Sequence, residues 1–430
     1  MAESTYSSNQ QLLPLRSIPP ISVPAACLLR GTHSAANDTS FPLYAVYRCA
    51  APMHHGFLSR KGFSLDVILR LLRRSALNPS LLFPLVLLAR YSKKGQDWSI
   101  LHPKAAKRLS VLFCLAVLRR LSAWHSDKTC NNWVDDKYVW SREVVLVTGG
   151  ADGIGATMVR RFADKGITVV VLDIQPMTFK TSSRVHYYQC DVRSPESVNA
   201  VADRVRADVG HPTVLIHNAG VVRGKTILEA EPFDIRYTFD VNSLAHYWIT
   251  KAFLPNMIAR NHGMVVTVSS VAAWAALPGM VDYSASKAAA LAFHEGLTDE
   301  LKFRYNARKV RTVCVHPAHT RTALFSGFKQ VNSFMMPVLQ PDTVGEAVVK
   351  KVLSGRSGTV VLPEAASVLP WLRALPDGLG IQARSGGQGS MEKWSGRQVV
   401  SDVGALYQGK DSQEGQTSGS TVLVSEEVKD

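Results

Sequence analysis

Tyr283 and Lys287, in the segment Tyr283-Ser284-Ala285-Ser286-Lys287, have the side-chain types and the spacing to move a proton. Positions i and i+4 lie one turn apart on the same helix face, so phenol and ammonium are neighbours if the segment is helical. A phenol titrates near pKa ~10, too high for a base at neutral pH. An ammonium fixed within a few ångströms stabilises the phenolate and is expected to lower that value. Such a pair can exchange a proton with the oxygen of a bound molecule. A tyrosine and a lysine one turn apart are more often a plain exposed face, so the pair needs support from elsewhere in the chain.

That support begins where a β-branched run, Val144–Thr148, leads into Gly149-Gly150-Ala151-Asp152-Gly153-Ile154-Gly155 and then a helical pattern. Glycine is required where a strand turns sharply and where backbone must approach a pyrophosphate closely. The helix that follows offers free N–H groups and a positive dipole end to phosphates. A glycine cluster alone is weak, but strand before, helix after and the start of a βαβ unit are its confirming context. Thr148, Gly149, Asp152, Gly153, Ile154 and Gly155 are therefore expected to hold a dinucleotide. Asp173 closes the second strand, 18 positions beyond Gly155. A carboxylate there can accept both adenosine ribose hydroxyls and repels a 2′-phosphate, which favours NAD(H) over NADP(H). Asp191 and Val192 end the third strand, where a carboxylate can accept the adenine amino group. Asn218, Ala219 and Gly220 form a small-residue turn after the fourth strand, against which the dinucleotide can lie.

The elements that must position these residues are legible from residue 143 to 363. Short runs such as VVLVTG, TVVVLD, TVLIHNAG, MVVTVSS and VRTVCVHP alternate with segments of helical period such as ATMVRRFADKG. That alternation predicts an α/β fold, a doubly wound parallel sheet of Rossmann type covered on both faces. Residues 1–56 carry Ser, Thr, Asn, Gln and Pro without period and are expected to be disordered. Residues 57–142 form a basic, apolar helical segment. After Pro363, Trp371 and Leu375 suggest one more amphipathic turn; otherwise residues 364–430, rich in Gly, Ser, Gln and Glu from about Gln382, are expected to be mostly disordered.

These motifs together resemble the short-chain dehydrogenase/reductase family over Val144 to about Pro363, roughly half the chain. The resemblance rests on Thr148-Gly149-(x)3-Gly153-Ile154-Gly155, Asn218-Ala219-Gly220, Asn242 in FDVNSLAHY, Ser270 in TVSSVAAW, Tyr283-(x)3-Lys287, and Pro317 with Thr322. It implies that Tyr283 is the general acid/base for hydride transfer to or from a nicotinamide. It further implies that Ser270 holds the substrate oxygen and that Asn242 binds a water feeding protons toward Lys287. Pro317, Thr320 and Thr322 fall in the segment that borders the nicotinamide. Three positions depart from the family pattern: His217 replaces an Asn, Ala318 a Gly, and Thr320 a residue usually aliphatic. A non-catalytic dinucleotide-binding sensor or scaffold would be favoured by loss of Tyr, Lys or Ser, and all three are present.

Charge and hydropathy bear on location. The chain carries a net charge of +15, and residues 57–142 hold 16 Lys or Arg against 5 Asp, a net of +11. These charges flank apolar runs, Leu81–Ala89 and Leu109–Leu118, rather than interleaving with aromatics, so a membrane surface is favoured over nucleic acid. Both runs fall short of the ~20 residues a spanning helix needs, which suggests an anchor lying in the interface. A helical subdomain packed on the catalytic domain is the plainer alternative. Six scattered cysteines show neither a metal pattern nor a disulfide framework and suggest a reducing compartment. The resemblance extends to the membrane-associated retinol and hydroxysteroid dehydrogenases and to fungal reductases. It implies an apolar alcohol or ketone substrate, and an endoplasmic reticulum or lipid droplet location with the catalytic domain facing cytosol. Trp274, Leu277, Met280, Leu324, Phe325, Phe328, Phe334, Met335 and Met336 would line an apolar mouth, or instead close the core or a homodimer contact.

Overall fold

Val, Ile and Leu dominate the runs that alternate with helices, and burying both faces of such strands requires a parallel sheet with helices on each side. The computed structural model describes residues 62–330 and 332–396. The expectation of disorder for residues 1–56 and for the tail beyond residue 396 lies outside the described residues. In chain order, α1 (Leu65–Arg74), α2 (Pro79–Tyr91), α3 (Lys93–Leu101) and α4 (Pro103–Cys130) precede the sheet. Then follow β1 (Val144–Thr148), α5 (Gly153–Ala163), β2 (Thr168–Asp173), β3 (Val185–Gln189), α6 (Pro195–Asp208), β4 (Val214–His217), α7 (Pro232–Phe239), α8 (Ala245–Arg260) and β5 (Gly263–Val268). The chain continues through α9 (Val281–Phe303), β6 (Val310–Pro317), α10 (Pro341–Leu353) and β7 (Gly358–Leu362) to a 3-10 segment, Glu364–Ala374, and α11 (Asp377–Ser385).

The strands form one parallel seven-stranded sheet in the order β3-β2-β1-β4-β5-β6-β7, the doubly wound topology expected. Successive side chains alternate between its faces. Val145 and Val147 of β1 pack with Met158, Val159 and Phe162 of α5 and Val344, Val348 and Val352 of α10. Leu146, between them, packs with Val198, Val201 and Val205 of α6, Ile249 and Phe253 of α8, and Leu297 of α9. The strand order reverses between β1 and β4, and a ligand crevice opens at the carboxyl ends of strands where that happens.

The helices before the sheet are built differently. α2 and α4 meet through Phe83 and Phe113, with ring centroids 5.9 Å apart, yet Leu81, Phe83, Leu85, Leu88, Leu115 and Leu118 stay exposed. Among the described residues no single helix is long and apolar enough to cross a membrane; α1 and α2 meet that criterion only as a pair bent by 46°. The linker expected to belong with these helices packs on the parallel sheet. Tyr138 donates its hydroxyl to the Gly263 carbonyl at 2.6 Å and stacks on Trp140. Arg311, buried in β6, donates to the carbonyls of Asn131 at 2.9 Å and Val134 at 2.5 Å. The linker from Asn131 on is thus packed with the sheet.

The expected disorder after Pro363 is corrected as far as Gly396. Arg373 donates to the Ala273 carbonyl at 2.6 Å, and the Trp394 indole donates to the Leu324 carbonyl at 3.1 Å. Lys329 and Ser395 add backbone bonds to Ser390 and Ser326. The glycines that made the segment look unstructured let it lie close: a side chain at Gly387 would sit 2.3 Å from Leu277.

Replacing Arg311 with Met leaves buried carbonyls of the 131–134 linker without their charged donor. The expected destabilisation is ~3 kcal/mol, seen as a fall of roughly 5–10 °C in melting temperature. An unchanged calorimetric melt would mean that the linker does not depend on this side chain.

Candidate active site

The crevice is organised by a stitch between the ends of β1 and β4. The Thr148 hydroxyl accepts from the backbone N–H groups of Asn218 at 3.0 Å and Ala219 at 3.1 Å. Asn218 returns its amide N–H groups to the carbonyls of Thr148 at 3.0 Å and Gly149 at 2.9 Å. The two loops are then so close that a Cβ on Gly149, whose φ is +64°, would lie 2.8 Å from Ala219 Cα. A Cβ on Gly155 would lie 1.9 Å from the Gly149 carbonyl oxygen, so glycine is what lets α5 begin directly under the turn. Asp152 precedes α5 without capping it through its side chain, leaving the first-turn N–H groups to face the cleft. A backbone cradle at a helix N-terminus suits a pyrophosphate.

Beyond the cradle lies a cleft of about 190 Å³, lined by Leu172, Asp173, Ile174, Asp191, Val192 and Tyr237 among others. The Asp173 carboxylate accepts from the backbone N–H groups of Ala151 at 2.9 Å and Gln175 at 3.0 Å, so it both holds the glycine turn and borders the cleft. Asp191 is engaged more fully than expected. Arg193 meets both its oxygens, with Nε at 3.0 Å from each and Nη2 at 2.6 Å from one. That guanidinium lies 4.3 Å over the Tyr237 ring, so Asp191 borders the cleft as half of an ion pair.

A second cavity, of about 390 Å³, shares Ile154, Asn218, Gly220, Thr322 and Leu324 with the first. Ser270, Tyr283, Lys287, Pro317 and Thr320 all line it. Ser270, at the end of β5, hydrogen-bonds Tyr283, donates to the Pro317 carbonyl at 3.3 Å and accepts from Ala272 N–H at 3.1 Å. The Lys287 ammonium donates to the Val268 carbonyl at 3.0 Å and lies 5.8 Å from the centre of the Tyr283 ring. Thr148, Gly155 and Asn242 stand behind the two cavities rather than on them.

Asn242 is tied into its surroundings by its side chain. It lies in a π-helical turn, Asp240–Leu244, between α7 and α8. Its side-chain oxygen accepts from Val221 N–H at 2.8 Å, and its amide donates to the Val221 carbonyl at 2.9 Å and to Ser286 Oγ at 3.0 Å. The side chain therefore ties the loop after β4 to α9.

The expected lowering of the tyrosine pKa is also corrected. Burial pushes the Tyr283 phenol up to about 12, against a smaller opposing effect of the Ser270 hydrogen bond. Burial also lowers Lys287 to about 8. Removing a phenolate from water is costly, so burial favours the neutral phenol.

The short chain dehydrogenase family model matches residues 143–332. Dehydrogenase RED2 of Cochliobolus heterostrophus is 43% identical over 216 residues, covering 48% of this chain and 81% of that protein. The chain belongs to the short-chain dehydrogenase/reductase family. Human short-chain dehydrogenase/reductase 3 is 36% identical over 240 residues, covering 54% of this chain and 76% of its own. Human epidermal retinol dehydrogenase 2 is 38% identical over 220 residues, covering 49% and 71%. The chain thus groups with the retinol dehydrogenase-like and fungal dehydrogenase branch. NAD(P)-dependent oxidoreductase activity follows from membership of this family.

Of the apolar residues expected at the substrate mouth, Leu277, Met280, Leu324, Phe325, Phe328, Met335 and Met336 line the second cavity. Trp274 instead stacks on His316 at 4.1 Å, and Phe334 packs on Phe63 at 6.1 Å. Leu369, Leu372, Ala383, Arg384 and Ser390, which also line the cavity, were not among the expected site residues. Their only signal was the apolar pair Trp371 and Leu375, since glycine and serine hide the helical period around them.

Proposed function

We propose that this enzyme interconverts a hydroxyl and a carbonyl on an apolar, lipid-like substrate, with Tyr283 as general acid/base and NAD(H) as the favoured cofactor. The observation that carries the reading is the meeting of Ser270, Tyr283 and Lys287 on one largely apolar cavity that is continuous with the glycine cradle. Retinol-dehydrogenase-like relatives and the exposed apolar face of α1–α4 support a membrane-surface location.

A bound nicotinamide dinucleotide supplies or accepts the hydride and, when oxidised, a positive charge that favours the phenolate. Gly149, Gly153 and the first turn of α5 would hold its pyrophosphate, and Asp173 its adenosine ribose. No lysine or arginine is among the described residues lining that half of the cleft, which supports NAD(H) over NADP(H). In reduction, Tyr283 gives its proton to the substrate oxygen while Ser270 holds that oxygen as charge develops on it. With the phenol pushed up to about 12, the proton is in place at neutral pH for this direction. Lys287 then helps to stabilise the phenolate left behind.

Three outcomes test the reading. Tyr283→Phe should lower kcat for a long-chain ketone by roughly 10²- to 10⁴-fold. Retained activity would remove the tyrosine from the chemistry and favour a binding role for the fold. The rate of alcohol oxidation should rise with pH from 7 to 10 as the small phenolate fraction grows. Carbonyl reduction should fall above about pH 8, where Lys287 loses its proton, and Lys287→Arg should remove that fall. Asp173→Asn should lower kcat/KM for NADH by roughly 10- to 100-fold and leave NADPH much less affected. An equal effect on both cofactors would contradict the ribose assignment.

A further inference from the structure

We infer that the segment Glu364–Ala374, continued by α11, docks on an anionic lipid surface and forms the wall through which an apolar substrate enters. This rests on the reading above that the substrate is apolar. The segment has two apolar faces. Leu369 and Leu372 face inward and line the catalytic cavity. Val368 and Trp371 face outward, 59% and 73% exposed, and Leu379 and Ile381 of α11 are exposed as well, at 54% and 61%. Four large apolar side chains exposed on one short segment, a tryptophan among them, are unusual on a surface that meets only water.

Both edges of the segment are fastened. On one side Asp66 of α1 accepts from Ala365 N–H at 2.9 Å, and Arg73 of α1 pairs with Glu364. On the other, Arg373 donates to the carbonyls of Ala273 and Trp274, in the turn that follows Ser270. The wall of the cavity therefore bridges the basic, apolar helices and the catalytic loop.

The occupant is chosen by charge and continuity. α1 ends in Arg73, paired with Glu364 of the segment, and Arg74, and α2 exposes further apolar side chains at Leu81, Leu85 and Leu88. Arg90, Lys93, Lys94, Lys104, Lys107 and Arg108 follow, all exposed. Apolar side chains bordered by cations match an anionic bilayer interface. A second copy of this chain would bring the same positive charge against itself. A substrate dissolved in the bilayer would then pass between Leu369 and Leu372 to Tyr283 without crossing water.

The test uses the full chain and vesicles of phosphatidylcholine with or without phosphatidylserine. Lipids brominated on their acyl chains should quench part of the tryptophan fluorescence when phosphatidylserine is present, and Trp371→Phe should lose that part. The triple variant Trp371→Glu/Leu379→Glu/Ile381→Glu should raise KM for a long-chain ketone presented in vesicles roughly tenfold or more. It should leave kcat/KM for a short, water-soluble ketone unchanged. Quenching that is identical in Trp371→Phe, or an unaltered KM for the vesicle-borne ketone, would overturn the inference. So would an equal loss on both ketones, or a dimer that the triple variant dissociates. If the wild-type protein turns over neither ketone, the apolar-substrate reading fails, while the quenching still decides whether the segment meets lipid.

Discussion

The site depends on a buried ammonium. Lys287 is almost fully enclosed, and an enclosed cation is destabilising unless the surrounding dipoles are fixed toward it. Its turn of α9 is accordingly held from several sides. Ser269 donates its hydroxyl to the Lys287 carbonyl at 2.9 Å, and Ser243 donates to the Ser286 carbonyl at 2.9 Å. Asn242 reaches Ser286 Oγ, which in turn donates to the Tyr283 carbonyl at 2.7 Å. These contacts draw β5, the π-helical turn and the loop after β4 onto one helix turn. A shift of any of them would move phenol and ammonium together.

The second constraint is the close approach of two loops at the topological switch. Thr148 and Asn218 bind each other's backbone, and Gly149 and Gly155 allow the contact. The consequence is spatial: the cleft at the glycine turn and the cavity lined by Tyr283 share Ile154, Asn218, Gly220 and Thr322. The two therefore open on each other, although Gly149 and Tyr283 lie more than a hundred positions apart in the chain.

Much of this was legible in the sequence because it is carried by local patterns. β-branched runs alternating with helical periods specify the sheet, and the spacing of Tyr283 and Lys287 specifies their common face. Other features were not legible because they arise only from tertiary packing. The tyrosine pKa rises because the phenol is buried, against a smaller effect of Ser270. Asp191 is drawn to Arg193, only two residues away, by a loop geometry that spacing does not determine. Asn242 reads as a site residue, and spacing does not reveal that its side chain ties Val221 to Ser286. The C-terminal wall was hidden because glycines that permit close packing look, in sequence, like glycines that prevent order.

The central claim is that hydride reaches a substrate carbonyl in the cavity that Tyr283 and Ser270 line. It is tested most directly by a single turnover of a long-chain ketone with NADH deuterated at its transferable position. Deuterium is expected on the carbinol carbon of the product alcohol. An alcohol whose carbinol hydrogen comes from solvent, or labelled NADH left unconsumed across a panel of apolar ketones, would contradict it.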